Sequence, residues 1–179
     1  MAEFRIQGED CKGQSRRLIS IGKLIWSKDI GLIRIIVGFG TSSVNENEFD
    51  EVRTIEEGFK KAYSGDLNGT VEAVDKLKNF AFQLIHLDAD AENELDIKAL
   101  IVSIEDIARV ATEMKMEQAC SVSGLALGDI ALEAAGQKRE PLAIKALSIV
   151  GSLALEFAEK CLNVATRDTV ESLGNCGKN

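Results

Sequence analysis

Aromatic residues make up only 5% of this 179-residue chain, and proline occurs once. An interior with so few rings has to be built from alanine, leucine, isoleucine and valine, which suit closely packed helices better than a sandwich or barrel. A chain of this length can bury a sufficient core without a metal or a disulfide. The composition therefore predicts a single all-helical domain over residues 1–179.

Paired cysteines and long hydrophobic runs are also lacking. The four cysteines show no C-x-x-C spacing, and no basic segment followed by an apolar run stands at the N-terminus. Both features are typical of a cytoplasmic protein with reduced thiols. The most hydrophobic stretch, residues 30–39, is shorter than the roughly 20 residues that cross a bilayer. We therefore expect no membrane segment, and the stretch itself fits either a buried strand or a helix, which its helical surroundings favour.

Excess positive charge is absent as well, since the net charge is −8. Acidity disfavours nucleic acid as a partner, because affinity for phosphate backbones comes mainly from lysine and arginine. Basic residues nevertheless gather near the N-terminus, where Lys12, Arg16, Arg17 and Lys23 could share one helix face. This face is a candidate interaction surface for phosphate or an acidic partner. The alternative is that it packs near the acidic remainder of the chain.

A 23-residue period is the clearest pattern that the sequence does contain. LGDIALEA begins at Leu127, VGSLALEF at Val150 and LGNCG at Leu173, so that glycine recurs at the second position of each stretch. Polar or glycine-containing breaks recur at similar intervals along most of the chain. Between these breaks, apolar side chains recur about every 3.6 residues, which is the period of a helix. The breaks and this spacing together predict helices at residues 8–26, 29–42, 47–64, 69–87, 94–114, 117–135, 140–161 and 163–175.

Two features inside these helices lead to packing predictions. Gly128 and Gly151 fall near the middle of their helices, where a missing side chain would let neighbouring antiparallel helices cross closely. We therefore interpret both as structural and not as phosphate-binding glycines. The segment 140–161 has only a narrow polar stripe in an otherwise apolar surface, which predicts that it is the central helix.

Two successive 23-residue units make a two-helix hairpin of 46 residues, of which LGDIALEA and VGSLALEF are the most similar parts. A hairpin of this length resembles the HEAT and armadillo-type repeats of α-solenoids. Clear self-similarity covers residues 104–174. The resemblance implies antiparallel hairpin repeats over residues 47–179, with residues 1–46 as a candidate N-terminal cap. A closed multi-helix bundle is the alternative that the sequence leaves open.

Motifs for metal binding or catalysis fail at determining positions. The only histidine, His86, precedes an acidic run, but a calcium loop starting at Asp88 would have Asn93 in place of the turn glycine and Ala99 in place of the bidentate glutamate. A single histidine supplies at most one Glu-x-x-His pair, whereas a di-metal bundle site uses two. Residues 37–43 contain Gly-x-Gly but not the third glycine of a dinucleotide loop. The sequence predicts no cofactor, no metal site and no catalytic residue.

Three classes of function remain, led by a non-enzymatic scaffold that binds a protein or peptide or assembles with itself. The C-terminal hairpin is unusually apolar, and residues such as Leu155 and Phe157 predict a homodimer through the last helices. The first alternative is a nucleic-acid-binding α-solenoid that uses the basic N-terminal helix. The second is a helical-bundle enzyme or small-molecule carrier with an interhelical pocket, in which Glu105 or Asp106 would act as acid-base groups.

Overall fold

A computed structural model of the chain describes residues 46–87 and 91–176. The predicted helices at 8–26 and 29–42, the basic surface of Lys12, Arg16, Arg17 and Lys23, and most of the candidate cap lie outside the described residues. The rest forms six helices, each within three residues of a predicted segment at both ends, so the all-α prediction is confirmed. They are α1 (Glu46–Ser64), α2 (Leu67–His86), α3 (Ala91–Glu113), α4 (Glu117–Gly136), α5 (Glu140–Glu159) and α6 (Asn163–Cys176).

The 23-residue period has a structural cause in the turns between the last four helices. Lys115, Lys138 and Cys161 occupy equivalent places in three turns, and their φ angles are +57°, +59° and +60°. In each turn the next amide donates to the carbonyl five residues before it, at 2.9, 2.7 and 2.9 Å. This is the Schellman arrangement, which ends a helix by placing one residue in the left-handed region. The residue that follows is buried in all three turns, namely Met116, Arg139 and Leu162.

The helices stack in two layers. Within the described residues, each helix contacts only helices one or two places away in the sequence. One layer therefore contains α1, α3 and α5, the other contains α2, α4 and α6, and α1 does not contact α6. A closed bundle of these six helices would bring α1 and α6 together, whereas the part of the chain that the structure describes has the contact pattern of an open array of stacked hairpins.

Close packing within the second layer depends on two glycines of α4. A Cβ atom added to Gly124 would lie 3.1 Å from both Cβ and Cγ2 of Thr169 and would collide with its Oγ1. At Gly128 it would lie 3.0 Å from Cβ of Ser172 and would collide with its Oγ. Gly128 thus lies at a close helix approach, but it meets α6, two places along the chain, and not the next antiparallel helix. The absence of side chains lets α4 and α6 approach closely.

The corresponding expectation for Gly151 is wrong. A Cβ atom at Gly151 would meet nothing within 4 Å, so no neighbouring helix of the described array requires this glycine. The prediction treated the repeat as exact, but among the six described helices none follows α5 in its own layer, whereas α4 is followed by α6. A residue at the same repeat position therefore lies in an interface in α4 and at the end of the array in α5.

The central helix is α4 and not α5. Helix α4 contacts α2, α3, α5 and α6, and its buried face consists largely of alanine, serine and glycine. Helix α5 is more apolar, yet Ile144 is 67% exposed and Leu155 is 70% exposed. The prediction equated a wide apolar surface with central position. The structure shows instead that neighbours cover only part of that surface.

Candidate interaction surface

The C-terminal end of the array is formed by α5 and α6. Each packs against the preceding helix of its own layer, α5 against α3 and α6 against α4, and the two pack against each other. Among the residues that the structure describes, no helix covers the opposite side of either one. The side chains on those sides are therefore where another chain or segment could add to the array.

An uncharged stripe runs along α5 on this open side. Its residues recur at intervals of three or four, which aligns them on one helix surface. Two are strongly exposed aliphatic side chains near opposite ends, Ile144 and Leu155. The others are small or partly covered. We call the set the α5 stripe: Ile144, Leu147, Ser148, Gly151, Leu155 and Ala158.

The α5 stripe differs in chemistry from the same surface one hairpin earlier. Leu155 lies 46 residues after Arg109 and Gly151 lies 46 after Glu105, so an ion pair of α3 is replaced by two uncharged residues in α5. In α3 the Arg109 guanidinium bonds Glu105 at 3.0 Å and reaches Glu156 of α5 at 2.5 Å. Terminal repeats of helical arrays normally carry a polar outer face, because nothing covers them. The α5 stripe departs from that rule.

Salt bridges connect α3 to α5 on the covered side. Besides the pairs of Arg109, the Lys160 ammonium lies 3.0 Å from a carboxylate oxygen of Glu113. The hydrogen bond that Arg109 donates to Glu105, together with the charge of Glu156, raises the pKa of Arg109 despite its partial burial. Glu105 and Glu156 are only 18% and 21% exposed, so Arg109 neutralises two carboxylates that water reaches poorly. These groups fix the register between the two helices.

Asp106, the other carboxylate considered for acid-base chemistry, is half-buried on α3. Burial raises its pKa above the usual value of 3.8, the neighbouring Glu105 raises it further, and Arg109 lowers it in part. A raised pKa in a carboxylate can indicate a catalytic acid, but it also arises wherever a helix places a carboxylate against its neighbours. Glu105 is ion-paired with Arg109, whereas Asp106 forms no ion pair among the described residues.

We expect Asp106→Asn to stabilise the protein at neutral pH by at most about 1 kcal/mol, because a half-exposed group is partly screened by solvent. The folded-state pKa is above the unfolded one, so wild-type stability decreases as pH rises through the folded value and the full penalty remains above it. Urea unfolding of both proteins at about pH 4 and about pH 7 measures the difference. A difference that does not grow with pH would contradict this assignment.

Two of the three cysteines that the structure describes have raised pKa values. Cys120 is buried, its Sγ lies 3.5 Å from Oγ1 of Thr112, and burial raises its pKa to about 11. Cys176 is half-buried and its pKa is also raised, mainly by burial. A thiolate is the reactive form, so both sites disfavour reaction at neutral pH. Cys161 is exposed, but it occupies the left-handed position of the last Schellman turn.

His86 lies at the exposed end of α2 beside α4. Its Nε2 atom is 3.2 Å from Oε1 of Glu133, and its Nδ1 atom is 3.4 Å from Nε2 of Gln137. Over residues 46–87 and 91–176, no three histidine, cysteine, aspartate or glutamate side chains are close enough to hold a metal ion. The contacts of His86 therefore connect neighbouring hairpins of the array.

The two residues predicted for self-association lie on opposite sides of α5. Leu155 lies on the α5 stripe, but Phe157 is 0% exposed and belongs to the core. That part of the prediction is wrong, because two residues along a helix turn the side chain by roughly 200°. Ile144 and Ser148 were not predicted to belong to this surface. The sequence shows their spacing relative to Leu155, but it does not show which residues of α5 the neighbouring helices cover.

Comparison with known proteins yields no match for this chain: no family model, curated protein or solved structure is significantly similar to it. Two of the described helices, α4 and α5, are long and apolar enough to cross a membrane by length and composition alone. Of the most apolar part of each, 61% is buried for α4 and 44% for α5. Core helices of soluble proteins satisfy the same criterion, so this is weak evidence for a membrane location.

Proposed function

We propose that the protein is a non-enzymatic helical-repeat scaffold that binds protein through the C-terminal end of its array, either another copy of itself or a separate partner. The observation that carries the proposal is the α5 stripe, which presents Ile144 and Leu155 at 67% and 70% exposure on a surface without charge. Exposed apolar surface at one defined place is typical of protein interaction sites. The resemblance to HEAT and armadillo repeats supports the same function.

The contacts of several polar side chains inside the array also support this proposal. Glu105 pairs with Arg109, and Asp129 approaches Lys78 of α2 at 3.6 Å, so both carboxylates stabilise contacts within or between helices. Cys120 is buried and has a raised pKa. Two further predictions come from the sequence alone. They are that the protein is cytoplasmic and that nucleic acid is disfavoured as a partner.

Sedimentation velocity of the full chain tests the proposal in its self-associating form. We expect the wild type to form a species heavier than the 19.4 kDa monomer as concentration rises. Ile144→Ser/Leu155→Ser should return it to the monomer, because it removes the two most exposed aliphatic side chains of the α5 stripe. Leu95→Ser/Val102→Ser is the matched control, since both residues are exposed aliphatics on α3, at 58% and 38%.

The pattern of the three proteins decides the result. Association of the wild type and the control, but not of the stripe variant, would support the α5 stripe as an interaction surface. Association that survives in the stripe variant, or that the control also removes, would contradict it. Circular dichroism spectra that coincide for all three would show that the substitutions leave the helices intact.

A further inference from the structure

We propose that Asn68 is a site of slow, spontaneous deamidation, which the cap at the start of α2 suppresses in the folded protein. Asn68 is exposed and is followed directly by Gly69. Deamidation is fastest in an Asn-Gly pair, because glycine has no side chain to hinder the attack and adopts the backbone angles that the attack needs. The site lies in the first described hairpin and is independent of the proposed function.

The reaction joins the backbone nitrogen of Gly69 to the side-chain Cγ atom of Asn68. The Gly69 amide loses its proton to solvent, and the nitrogen attacks the Cγ carbonyl. The bond between Cγ and Nδ2 then breaks, ammonia leaves with a proton taken from water, and a five-membered succinimide remains. Water opens this ring at one of its two carbonyl groups and leaves either aspartate or isoaspartate. Water is the only co-reactant, and no atom changes its oxidation state.

The first turn of α2 keeps the Gly69 nitrogen from this attack. Its N–H donates to Oδ1 of Asp66 at 3.0 Å, and Asp66 is the N-cap of the helix. A hydrogen-bonded amide is harder to deprotonate, because the bond must be broken first. The attack also needs a ψ angle at Asn68 that lies outside the helical range. Deamidation therefore requires the first turn of α2 to open locally.

Packing around the cap explains why glycine follows Asn68. The Lys61 ammonium lies 2.8 Å from Oδ2 of Asp66, so an ion pair closes the turn between α1 and α2. A Cβ atom at Gly69 would lie 2.7 Å from both Oδ2 of Asp66 and Cδ of Lys61. Any side chain at position 69 would have to displace this ion pair. Asp66 thus favours glycine after Asn68 and also restrains the Asn-Gly pair that results.

The charge of Asp66 maintains the cap at neutral pH. Its hydrogen bonds with Lys61 and Gly69 lower the pKa of Asp66 below the usual value of 3.8, so the carboxylate remains an acceptor. Alkaline pH accelerates deamidation, because the attacking amide must lose its proton. The cap therefore stays intact under the conditions in which the intrinsic reaction is fastest.

The two products differ in their effect on α2. Aspartate at position 68 would add a negative charge in the first turn, where the helix dipole favours one. Isoaspartate would insert an additional carbon atom into the backbone between positions 68 and 69. The Gly69 amide would then no longer meet Asp66. We expect the isoaspartate product to loosen the turn between α1 and α2 and the aspartate product to leave it intact.

Incubation of the full chain at mildly alkaline pH and physiological temperature tests the site. Peptide mapping by mass spectrometry measures the fraction of Asn68 that is converted. Asn79 is the internal reference, because it is exposed on the same helix but precedes the bulky Phe80. We expect slow conversion at Asn68 and none that is detectable at Asn79.

Two substitutions at Asp66 test the role of the cap. Asp66→Ala should accelerate the conversion of Asn68 by roughly two- to thirtyfold, the change in local opening that the loss of an N-cap produces. Asp66→Asn is the matched control, since asparagine caps a helix as well as aspartate does, and it should stay within about twofold of the wild type. Gly124→Val is a second control, because it destabilises α4 and leaves the cap untouched.

The four proteins together decide the result. Acceleration in Asp66→Ala alone supports the inference. It is overturned if Asn68 stays intact in Asp66→Ala, if all four proteins convert equally fast, or if Gly124→Val accelerates conversion as much as Asp66→Ala does. Should Asp66→Ala not fold, the wild type is compared in buffer and in urea. Conversion that urea accelerates at Asn68 but not at Asn79 then supports the inference, and equal rates at Asn68 in both conditions overturn it.

Discussion

Replacing Phe157 with alanine is expected to lower the free energy of unfolding by about 3–5 kcal/mol, the range for a large aromatic side chain removed from a core. Phe157 is 0% exposed and is the largest of the fully buried side chains among the described residues. It lies in the last turns of α5, where its carbonyl also accepts the amide of Leu162 at 2.9 Å. The loss combines apolar surface returned to water with the cavity that the rigid surroundings leave behind.

Leu155→Ala is the matched control for this loss. It removes an aliphatic side chain two residues away on the same helix, but Leu155 is 70% exposed, so we expect a change within about 0.5 kcal/mol. Urea unfolding followed by circular dichroism measures both variants, at a protein concentration low enough to keep them monomeric. Similar losses for the two variants would mean that the assigned burial of α5 is wrong.

The second large effect is expected at Gly124, where valine should lower the free energy of unfolding by about 2–3 kcal/mol through overpacking. The first added carbon atom would already lie 3.1 Å from Cβ and Cγ2 of Thr169. Thr169 cannot relieve the contact by rotating its side chain, because its Cβ atom is fixed to the backbone of α6. The helices would have to separate, which weakens the α4–α6 contact along its length.

Gly136→Ala provides a control in the same helix. A Cβ atom at Gly136 would meet nothing within 4 Å, so the substitution should only reduce the freedom of the unfolded chain and stabilise by about 0.4–1 kcal/mol. Thermal unfolding of the two variants should therefore shift in opposite directions. A neutral or stabilising Gly124→Val would show that α4 and α6 do not approach as closely as the structure places them.

Helix positions were predictable from the sequence because they depend on local signals. The Schellman turns recur at 23-residue intervals, and the side chains between them keep a 3.6-residue period. Gly128 was also predictable as a residue of close approach, although its partner was not. The sequence shows that one face of α4 carries small residues. It does not show that Gly128 on this face meets Ser172 of α6, two helices further along the chain.

Coverage of each helix could not be predicted, since it depends on which neighbours exist. Helix α4 has a weak amphipathic pattern because four helices surround it, and its small residues suit that position. Helix α5 has a wide apolar surface, but it lies at the end of its layer. This wide apolar surface led to two wrong predictions, that α5 is the central helix and that Phe157 lies on the surface. The part of α5 that its neighbours leave uncovered is the candidate site. The position of α5 as the last described helix of its layer therefore explains both the wrong predictions and the exposed apolar surface.

The last described hairpin differs in chemistry from the hairpin before it. An interior hairpin carries Arg109, which satisfies Glu105 and Glu156, whereas the terminal hairpin carries Leu155 at the equivalent position. The charged groups of an ion pair remain hydrated wherever water reaches them, but an exposed leucine gains free energy only when another surface covers it. This difference between two otherwise similar surfaces is what favours protein binding at the C-terminal end over the other described surfaces.

Hydrogen–deuterium exchange of the full chain at two concentrations, on either side of the dissociation midpoint, tests whether α5 is the protein-binding surface. We expect a higher concentration to slow exchange in peptides that cover α5, with little change in α2 and α3, because association stabilises the α5 stripe against local opening. Exchange that is independent of concentration in α5, or slowed only elsewhere in the chain, would contradict the claim that this helix is the protein-binding surface.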